Sequence, residues 1–222
     1  MLSTTTEWLH FLDSSANPHY ALPMKKYMKD KFYFLGIKTP DRRNLLTQWI
    51  KENPIPSLPD LQQLVIEMWN SPYREYHYCA LDMLDKKRKQ LNASHVELLE
   101  YLIVTHAWWD TVDLISSHLV GELFSKHPEL VETINERWMK SNNLWLQRTC
   151  LLYQLGYREK TNLDLLQKNI LRLKGEKDFF IRKAIGWALR QYAKTDAGWV
   201  RKFVMEHELS PLSRKEALKN IG

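Results

Sequence analysis

Apolar residues recur along this chain at intervals of three and four positions, the spacing of helices with one buried face. Leu61, Leu64, Val65 and Met68 follow this spacing closely. The sequence has no convincing run of alternating polar and apolar residues and no Asn-Gly or Asp-Gly hairpin turn. The pattern therefore predicts an all-α chain. The predicted helices lie near residues 5–14, 19–30, 40–52, 59–70, 72–88, 94–105, 109–124, 129–140, 143–156, 163–173, 178–193, 197–206 and 211–220.

Prolines and short polar residues mark where several of these helices begin. Five prolines precede apolar runs, as is typical of proline near a helix N-terminus. They are Pro40, Pro59, Pro72, Pro128 and Pro211. Ser71, Asp178 and Ser210 are predicted N-caps, because their side-chain oxygens can accept hydrogen bonds from the first free backbone N–H groups.

An aromatic residue recurs with a period in the mid-thirties. Tyr73 to Trp109 is 36 residues, Trp109 to Trp145 is 36, and Trp145 to Phe180 is 35. Weaker copies of the same pattern occupy residues 39–46 and 211–218. A period of this length with two helices per unit is typical of an α-solenoid, in which single units cannot bury their apolar faces alone. The sequence therefore predicts a right-handed α-solenoid whose inner surface is lined by the first helix of each repeat.

The length of 222 residues and a hydrophobic content of 44% predict a folded chain with a sizeable core. We expect residues 1–222 to form a single domain, with the proline-rich segment 53–59 as a stiff connection. Cys79 and Cys150 lie in apolar helical runs, so we expect both to be buried and reduced, as in the cytoplasm. We expect no secretion signal, because the N-terminal residues show no basic segment followed by an apolar one. We expect no membrane span, because no apolar run approaches about 20 residues.

The net charge of +6 favours an anionic partner. Five arginines recur near equivalent places in the repeats and predict a surface that follows a phosphate backbone. They are Arg42, Arg43, Arg182, Arg190 and Arg214. The alternative is that repeated solvent-exposed helix faces carry similar charges without binding anything.

Trp109 and Asp113 stand four residues apart on one predicted helix and therefore share a face. Arg148 follows Asp113 by about one repeat, so an adjacent helix can bring the two into ion-pair distance and keep the carboxylate ionised. Structural alternatives remain open for each residue. Asp110 would then be an N-cap with Asp113 at N3, both stabilising the first helical turn. Arg148 would form a plain ion pair, and Trp109 and Trp187 would be core residues. Gly186 lies in the middle of a predicted helix, where glycine costs about 1 kcal/mol relative to alanine. This cost predicts that another segment approaches the backbone closely or crowds the position.

Several common chemistries lack their sequence motifs. The chain has neither of the glycine-rich phosphate-binding patterns, GxxxxGK[ST] and GxGxxG. Its eight histidines include no HExxH pair, and there is no CxxC. We therefore expect neither a metal nor an organic cofactor.

Taken together, these motifs resemble the AlkD family of DNA alkylation-repair glycosylases, which are built from HEAT-like helical repeats. The resemblance covers nearly the whole chain. It is carried by residues 24–29, 34–43, 108–113, 145–148, 183–190 and 212–217. It implies that Trp109, Asp113, Arg148 and Trp187 form a catalytic cleft, in which Arg148 holds a DNA phosphate and orients Asp113. It also implies that Tyr27, Lys38 and Thr39 contact DNA.

The resemblance further implies excision of positively charged N3- and N7-alkylated purines, such as 3-methyladenine and 7-methylguanine, from duplex DNA in base-excision repair. The expected enzyme is a monofunctional glycosylase that acts without a base-flipping pocket. We expect it to be monomeric and cytoplasmic, associated with the nucleoid through DNA. Two other functions remain open: a non-catalytic module that binds distorted or branched nucleic acid, and a protein–protein scaffold.

Overall fold

The computed structural model describes residues 5–221, in which all regular structure is helical apart from one isolated β-bridge between Tyr33 and Tyr73. The prediction of an all-α, helical-repeat fold is confirmed. Residues 1–90 and 91–222 form two compact units. This division does not test the prediction of a single domain, which stays a prediction.

The first unit contains five α-helices within its described residues. They are α1 (Thr5–His10), α2 (Pro18–Tyr27), α3 (Thr39–Glu52), α4 (Leu58–Trp69) and α5 (Arg74–Lys87). The buried carboxylate of Glu75 accepts hydrogen bonds from the backbone N–H groups of Leu35, Gly36 and Ile37 at 2.9–3.1 Å. At Gly36, φ is +87° and a Cβ would collide with the carbonyl oxygen of Asn17, so only glycine fits. These contacts fix the loop that leads into α3.

The second unit contains nine α-helices and one π-helical segment within its described residues. They are α6 (Val96–Val104), α7 (Trp109–Leu114), the π segment (Ile115–Val120), α8 (Gly121–Lys126), α9 (Pro128–Lys140), α10 (Leu144–Leu152), α11 (Leu163–Leu173), α12 (Phe179–Tyr192), α13 (Ala197–Glu206) and α14 (Pro211–Ala217). Helix α10 packs between α7 and α12, and α12 packs on α14. Helices α9 and α11 pack on α10, and α13 packs on α12, which gives each repeat its second helix.

Hydrogen bonds between neighbouring repeats confirm the predicted period. The hydroxyls of Ser116 and Thr149, 33 residues apart, share a hydrogen bond of 2.9 Å. The side-chain amides of Asn135 and Asn169, 34 residues apart, bond each other reciprocally at 2.8 and 3.0 Å. Both pairs are buried, where such bonds fix the register of adjacent helices.

The predicted helix starts are confirmed at most positions. Pro40, Pro59, Pro128 and Pro211 lie in the first two positions of their helices. Asp178 caps α12 and Ser210 caps α14 through their side chains.

The prediction that Ser71 caps α5 is wrong, because the N-cap position is held by Tyr73. Tyr73 has an extended backbone, and the next N–H group, that of Arg74, donates to the carbonyl oxygen of Tyr33 at 2.9 Å. This bridge keeps residue 73 out of the helix and delays its start.

The predicted continuous helix over 109–124 contains a π segment that the sequence did not indicate. The hydroxyls of Ser116 and Ser117 donate to the carbonyl oxygens of Val112 and Asp113, four residues earlier, at 2.6 and 2.7 Å. Hydroxyls that bond these carbonyls compete with the regular helical bonds and help to widen the turn. The π segment begins two residues after Asp113, so it follows the candidate site directly.

Two further features of the described residues concern the cysteines and the length of the apolar helices. Cys79 and Cys150 are buried and not joined in a disulfide, as predicted, and burial raises the pKa of the Cys79 thiol to about 11. Of the helices between residues 5 and 221, none combines the length and the apolar character that a membrane crossing needs.

Candidate functional site

An open cleft with a volume of about 340 Å³ lies in the second unit, among α7, α10, α12 and α14. Its lining combines aromatic, acidic and basic side chains. They are Trp109, Asp113, Arg148, Phe179, Phe180, Lys183, Trp187, Arg190 and Glu216. The four residues predicted to form a catalytic cleft therefore line one cavity, although they come from three different helices.

Asp113 and Arg148 form a two-point ion pair inside the cleft. Arg148 Nε donates to Asp113 Oδ1 at 2.7 Å, and Arg148 Nη2 donates to Asp113 Oδ2 at 2.8 Å. The third nitrogen of the guanidinium, Nη1, donates to the carbonyl oxygen of Phe180 at 2.5 Å. Because all three nitrogens are engaged and the Arg148 side chain is only 5% exposed, its main effect is to fix the orientation of the Asp113 carboxylate.

Burial and the arginine act on Asp113 in opposite directions. The removal of water from around the carboxyl raises its pKa above the ordinary value, and the negative charge of Asp110 adds to this. The hydrogen bonds and charge of Arg148 lower the pKa and oppose the effect of burial. The result is a carboxylate with a raised pKa whose ionised form is held by two strong hydrogen bonds.

The alternative in which Asp110 is the N-cap and Asp113 occupies N3 is wrong. Trp108 occupies the N-cap position of α7, and Asp110 lies within the first turn. Asp113 is the fifth residue of the helix, one turn further on, and its carboxylate bonds Arg148 on the next repeat. The carboxylate therefore faces the cleft instead of stabilising the helix start.

Trp108, one residue before Trp109, belongs to a cluster of three aromatic side chains. Trp108 packs against Trp145 and Phe180, with ring centroids 5.7 and 5.0 Å away, and Trp145 is 9% exposed. Trp145, which follows Trp109 by one period, is therefore buried in this cluster and does not line the cleft. Trp109 and Trp187 are both partly exposed and line the cleft, so neither is the core residue that the structural alternative required.

Sequence reasoning missed Phe179, Lys183 and Glu216 as residues that line the cleft, and it named Phe180 only for its repeat spacing. Lys183, Trp187 and Arg190 stand at positions i, i+4 and i+7 of α12, so the helical spacing around Trp187 could have indicated Lys183. Phe179, at the mouth of the cleft, is 57% exposed. Glu216 comes from α14, accepts a hydrogen bond from Lys183 and forms an ion pair with Arg190, an arrangement that no local spacing predicts.

The crowding predicted at Gly186 is confirmed. A Cβ at this position would lie 2.5 Å from Glu216 Cβ and 2.8 Å from the carbonyl oxygen of Ser213. Glycine therefore allows α14 to approach α12 closely enough for Glu216 to reach the cleft.

The arginines predicted to contact phosphate differ in their accessibility. Arg42 is buried, and its Nη1 donates to Asp82 Oδ2 at 2.6 Å and to Cys79 Sγ at 3.6 Å. Because its guanidinium is engaged inside the first unit, this position does not favour a DNA contact by Arg42, and that contact stays a prediction. Arg43 is 61% exposed in its side chain and lies 3.7 Å from the same aspartate.

The remaining predicted DNA contacts lie at the surfaces of their own units. In the first unit Tyr27, Lys38 and Thr39 are exposed, and Lys38 Nζ lies 3.8 Å from the centroid of the Tyr20 ring. In the second unit, Arg182 donates to the carbonyl oxygen of Glu176, and Arg214 donates to that of Val204. Arg190 pairs with Glu216 at the cleft. The role of these residues in DNA binding stays a prediction.

Within residues 5–221 the structure holds no group of three or more His, Cys, Asp or Glu side chains arranged to bind a metal ion.

Comparisons with known proteins agree with this architecture. A solved structure described as a predicted DNA alkylation repair enzyme from Enterococcus faecalis is 36% identical, with a TM-score of 0.86, and the match covers 93% of this chain and 96% of that one. The crystal structure of smu.31 from Streptococcus mutans UA159 shares the fold at 17% identity, with a TM-score of 0.61 and coverage of 92% and 98%. A comparison with curated proteins gave no match.

A family model described as DNA alkylation repair enzyme matches residues 9–221, which include every residue of the cleft. The chain therefore belongs to the DNA alkylation repair enzyme family.

Proposed function

We propose that this protein is a monofunctional DNA glycosylase that excises positively charged N3- and N7-alkylated purines from duplex DNA. The observation that carries the proposal is the Asp113 carboxylate, which Arg148 fixes in a cleft also lined by Trp109 and Trp187. The membership of the family supports alkylation repair in general. The substrate class and the reaction are those that the resemblance implies, and the chemistry of the cleft supports them.

The cleft suits a reaction in which a negative charge stabilises the sugar and no strong acid is needed to protonate the departing base. A purine alkylated at N3 or N7 carries a positive charge, so it leaves the sugar as a neutral base and needs no proton from the enzyme. The bond that breaks is the one between the base and C1′ of the sugar, and its electrons leave with the base. The sugar becomes oxocarbenium-like, and Asp113 stabilises this positive charge electrostatically.

Water completes the reaction when it adds to C1′ and loses a proton. Asp113 is suited to orient this water, because a carboxylate accepts hydrogen bonds through several lone pairs. The products are the free base and an abasic site, and the electron count needs no redox partner.

The two tryptophans and the arginine have distinct tasks in this mechanism. Trp109 and Trp187 offer π faces that attract a cationic base and an oxocarbenium-like sugar. Arg148 orients Asp113, and its burial favours this task over the contact with a DNA phosphate that the resemblance implied. The openness of the cleft to solvent is consistent with a lesion held in distorted duplex DNA, without extrusion into a deep pocket.

Duplex affinity is expected to come mainly from exposed cations that contact phosphates. Arg43 and Lys38 are suitable for such phosphate contacts, because both are exposed to solvent. We further propose that the protein acts as a monomer in the cytoplasm, in contact with the nucleoid through DNA.

The direct test is single-turnover release of N7-methylguanine from a duplex that contains it, with the purified protein in excess. The expected result is release of free base well above the spontaneous rate, together with an equal amount of abasic site. Strand cleavage without added base would contradict a monofunctional glycosylase. Release at the spontaneous rate would reject the enzyme and leave the non-catalytic nucleic-acid-binding module.

A further inference from the structure

Glu216 is a second carboxylate in the cleft, and it is tied to two cations at once. Its Oε2 accepts a hydrogen bond of 2.6 Å from Lys183 Nζ, and its Oε1 pairs with Arg190 Nη1. The Glu216 side chain is 12% exposed, so both pairs are partly shielded from water. Such a carboxylate interacts more strongly with its neighbours than a surface carboxylate does.

The positions of the two cations place Glu216 beside Trp187. Lys183 and Arg190 flank Trp187 along one face of α12, and Gly186 gives α14 the close approach that brings Glu216 to this face. The carboxylate is therefore held beside Trp187 by two cations of α12. We call this face of α12, which carries Lys183, Trp187 and Arg190, the aromatic wall of the cleft. The place of the carboxylate depends on the packing of α12 against α14.

The charges that line the cleft are three cations and two carboxylates. Arg148 is neutralised by Asp113, and Glu216 neutralises part of the charge of Lys183 and Arg190. Without Glu216, the wall beside Trp187 would carry two unopposed positive charges. Such a wall would attract any DNA phosphate and repel a cationic base.

We infer that Glu216 determines specificity in this cleft by restraining Lys183 and Arg190. Its charge weakens the attraction for undamaged duplex and keeps the aromatic wall favourable to a positively charged base. This inference rests on the proposed excision of cationic bases. It assigns Glu216 a role in discrimination, whereas Asp113 acts on the reacting sugar.

The test compares Glu216→Gln with wild type in two measurements. The first is affinity for undamaged duplex over a range of salt concentrations. Each additional phosphate contact makes the binding constant depend on the salt concentration with an exponent more negative by about 0.9. At 0.1 M salt, this corresponds to about eightfold tighter binding. We expect Glu216→Gln to bind about five- to tenfold more tightly, with a salt slope steeper by about one. The second is single-turnover release of N7-methylguanine, which we expect to fall by about tenfold.

A matched control separates this role from a general loss of negative charge. Glu136 on α9 also pairs with several cations, Lys140, Lys168 and Arg172, but it lies outside the cleft. Glu136→Gln should leave both the affinity for undamaged duplex and the release rate within about twofold of wild type. Equal effects of the two substitutions would overturn the inference, as would weaker duplex binding by Glu216→Gln.

Two further variants keep the test decisive if Glu216→Gln folds poorly. Glu216→Asp keeps the charge and should retain the wild-type salt slope. Arg190→Met removes one restrained cation and should lower the affinity for undamaged duplex, and an increase would overturn the inference. If wild type releases no base above the spontaneous rate, the proposed function fails. The affinity measurements still decide whether Glu216 restrains binding.

Discussion

Asp113→Asn is expected to slow base release by about a hundredfold while leaving duplex affinity close to wild type. The substitution keeps the shape of the side chain and removes its charge. The amide side chain would retain one oxygen to accept a hydrogen bond from Arg148, whereas the Asp113 carboxylate accepts two such bonds. Affinity should stay close to wild type because Arg148, the cation that Asp113 neutralises, is 5% exposed and stays bonded to the carbonyl oxygen of Phe180, so it gains no phosphate contact.

The magnitude follows from the proposed role of the carboxylate and from its burial. Loss of one preorganised electrostatic group commonly slows a reaction by about 10² to 10³. A cationic base is already a good leaving group, so the lower end of this range applies. The variant should also lose about 2 kcal/mol of stability, because Arg148 is 5% exposed and would lose half of its pairing with residue 113 while it keeps the Phe180 carbonyl.

The assay is single-turnover release of N7-methylguanine, with duplex affinity measured by fluorescence anisotropy on the same preparations. Asp110→Asn is the matched control, because it removes the same charge from the same helix without changing either partner of the Asp113–Arg148 pair. Its release rate should stay within about threefold of wild type. Equal rates for Asp113→Asn and wild type would remove Asp113 from the mechanism.

Three other predictions follow from the same contacts. The release rate, after subtraction of spontaneous loss, should fall as the pH drops through the raised pKa of Asp113, because only the ionised carboxylate is active. A rate that is independent of pH down to about 4, near the pKa of an ordinary aspartate, would contradict this. Gly186→Ala should lower the free energy of unfolding by about 1–3 kcal/mol because the added carbon collides with Glu216, whereas Gly175→Ala, which has no neighbouring atom within 4 Å of the added carbon, should not. Equal melting temperatures of the two variants would be evidence against the crowding. Arg42→Met should lower the free energy of unfolding by about 3 kcal/mol, because Asp82 loses its buried partner, whereas Arg43→Met should reduce the salt slope of duplex binding by about one without lowering the melting temperature. A reduced salt slope with Arg42→Met and a lowered melting temperature with Arg43→Met would instead place Arg42 on the DNA.

The repeat was predictable from sequence because its period has a direct structural meaning. Residues one period apart occupy equivalent positions on adjacent helices, so their side chains meet. Asp113 and Arg148, 35 residues apart, therefore form the ion pair that the spacing predicted. Helix bounds were predictable for a similar reason, since prolines and capping residues act on the backbone next to them.

Local spacing could not decide which of two adjacent aromatics packs with Trp145 and which lines the cleft. Trp108 and Trp109 differ by one position, and the extended backbone of Trp108 at the N-cap of α7 turns the two side chains to different surroundings. Trp108 packs with Trp145 and Phe180, and Trp109 is left at the cleft. The sequence contains both residues, but the choice depends on the dihedral angles at the helix start.

Burial of Arg42 was unpredictable for a different reason. An arginine in a basic segment has the same local pattern whether its guanidinium is exposed or paired inside the fold. Arg42 is paired because Asp82, forty residues away on α5, supplies a carboxylate on the adjacent helix. Glu216 was missed for the same reason, since its partners lie 33 and 26 residues earlier.

Each carboxylate of the cleft is held by a cation from a neighbouring helix, and this makes the geometry of the site a property of repeat packing. Asp113 on α7 is oriented by Arg148 on α10, and Glu216 on α14 is oriented by Lys183 and Arg190 on α12. A change that shifts one helix against the next therefore reaches the site without touching it. The buried hydroxyl pair of Ser116 and Thr149 joins the helical run that starts at α7 to α10, close to Asp113 and Arg148 in sequence. Loss of this pair should lower stability and base release together, whereas loss of the Glu216 charge should change affinity in the opposite direction to base release.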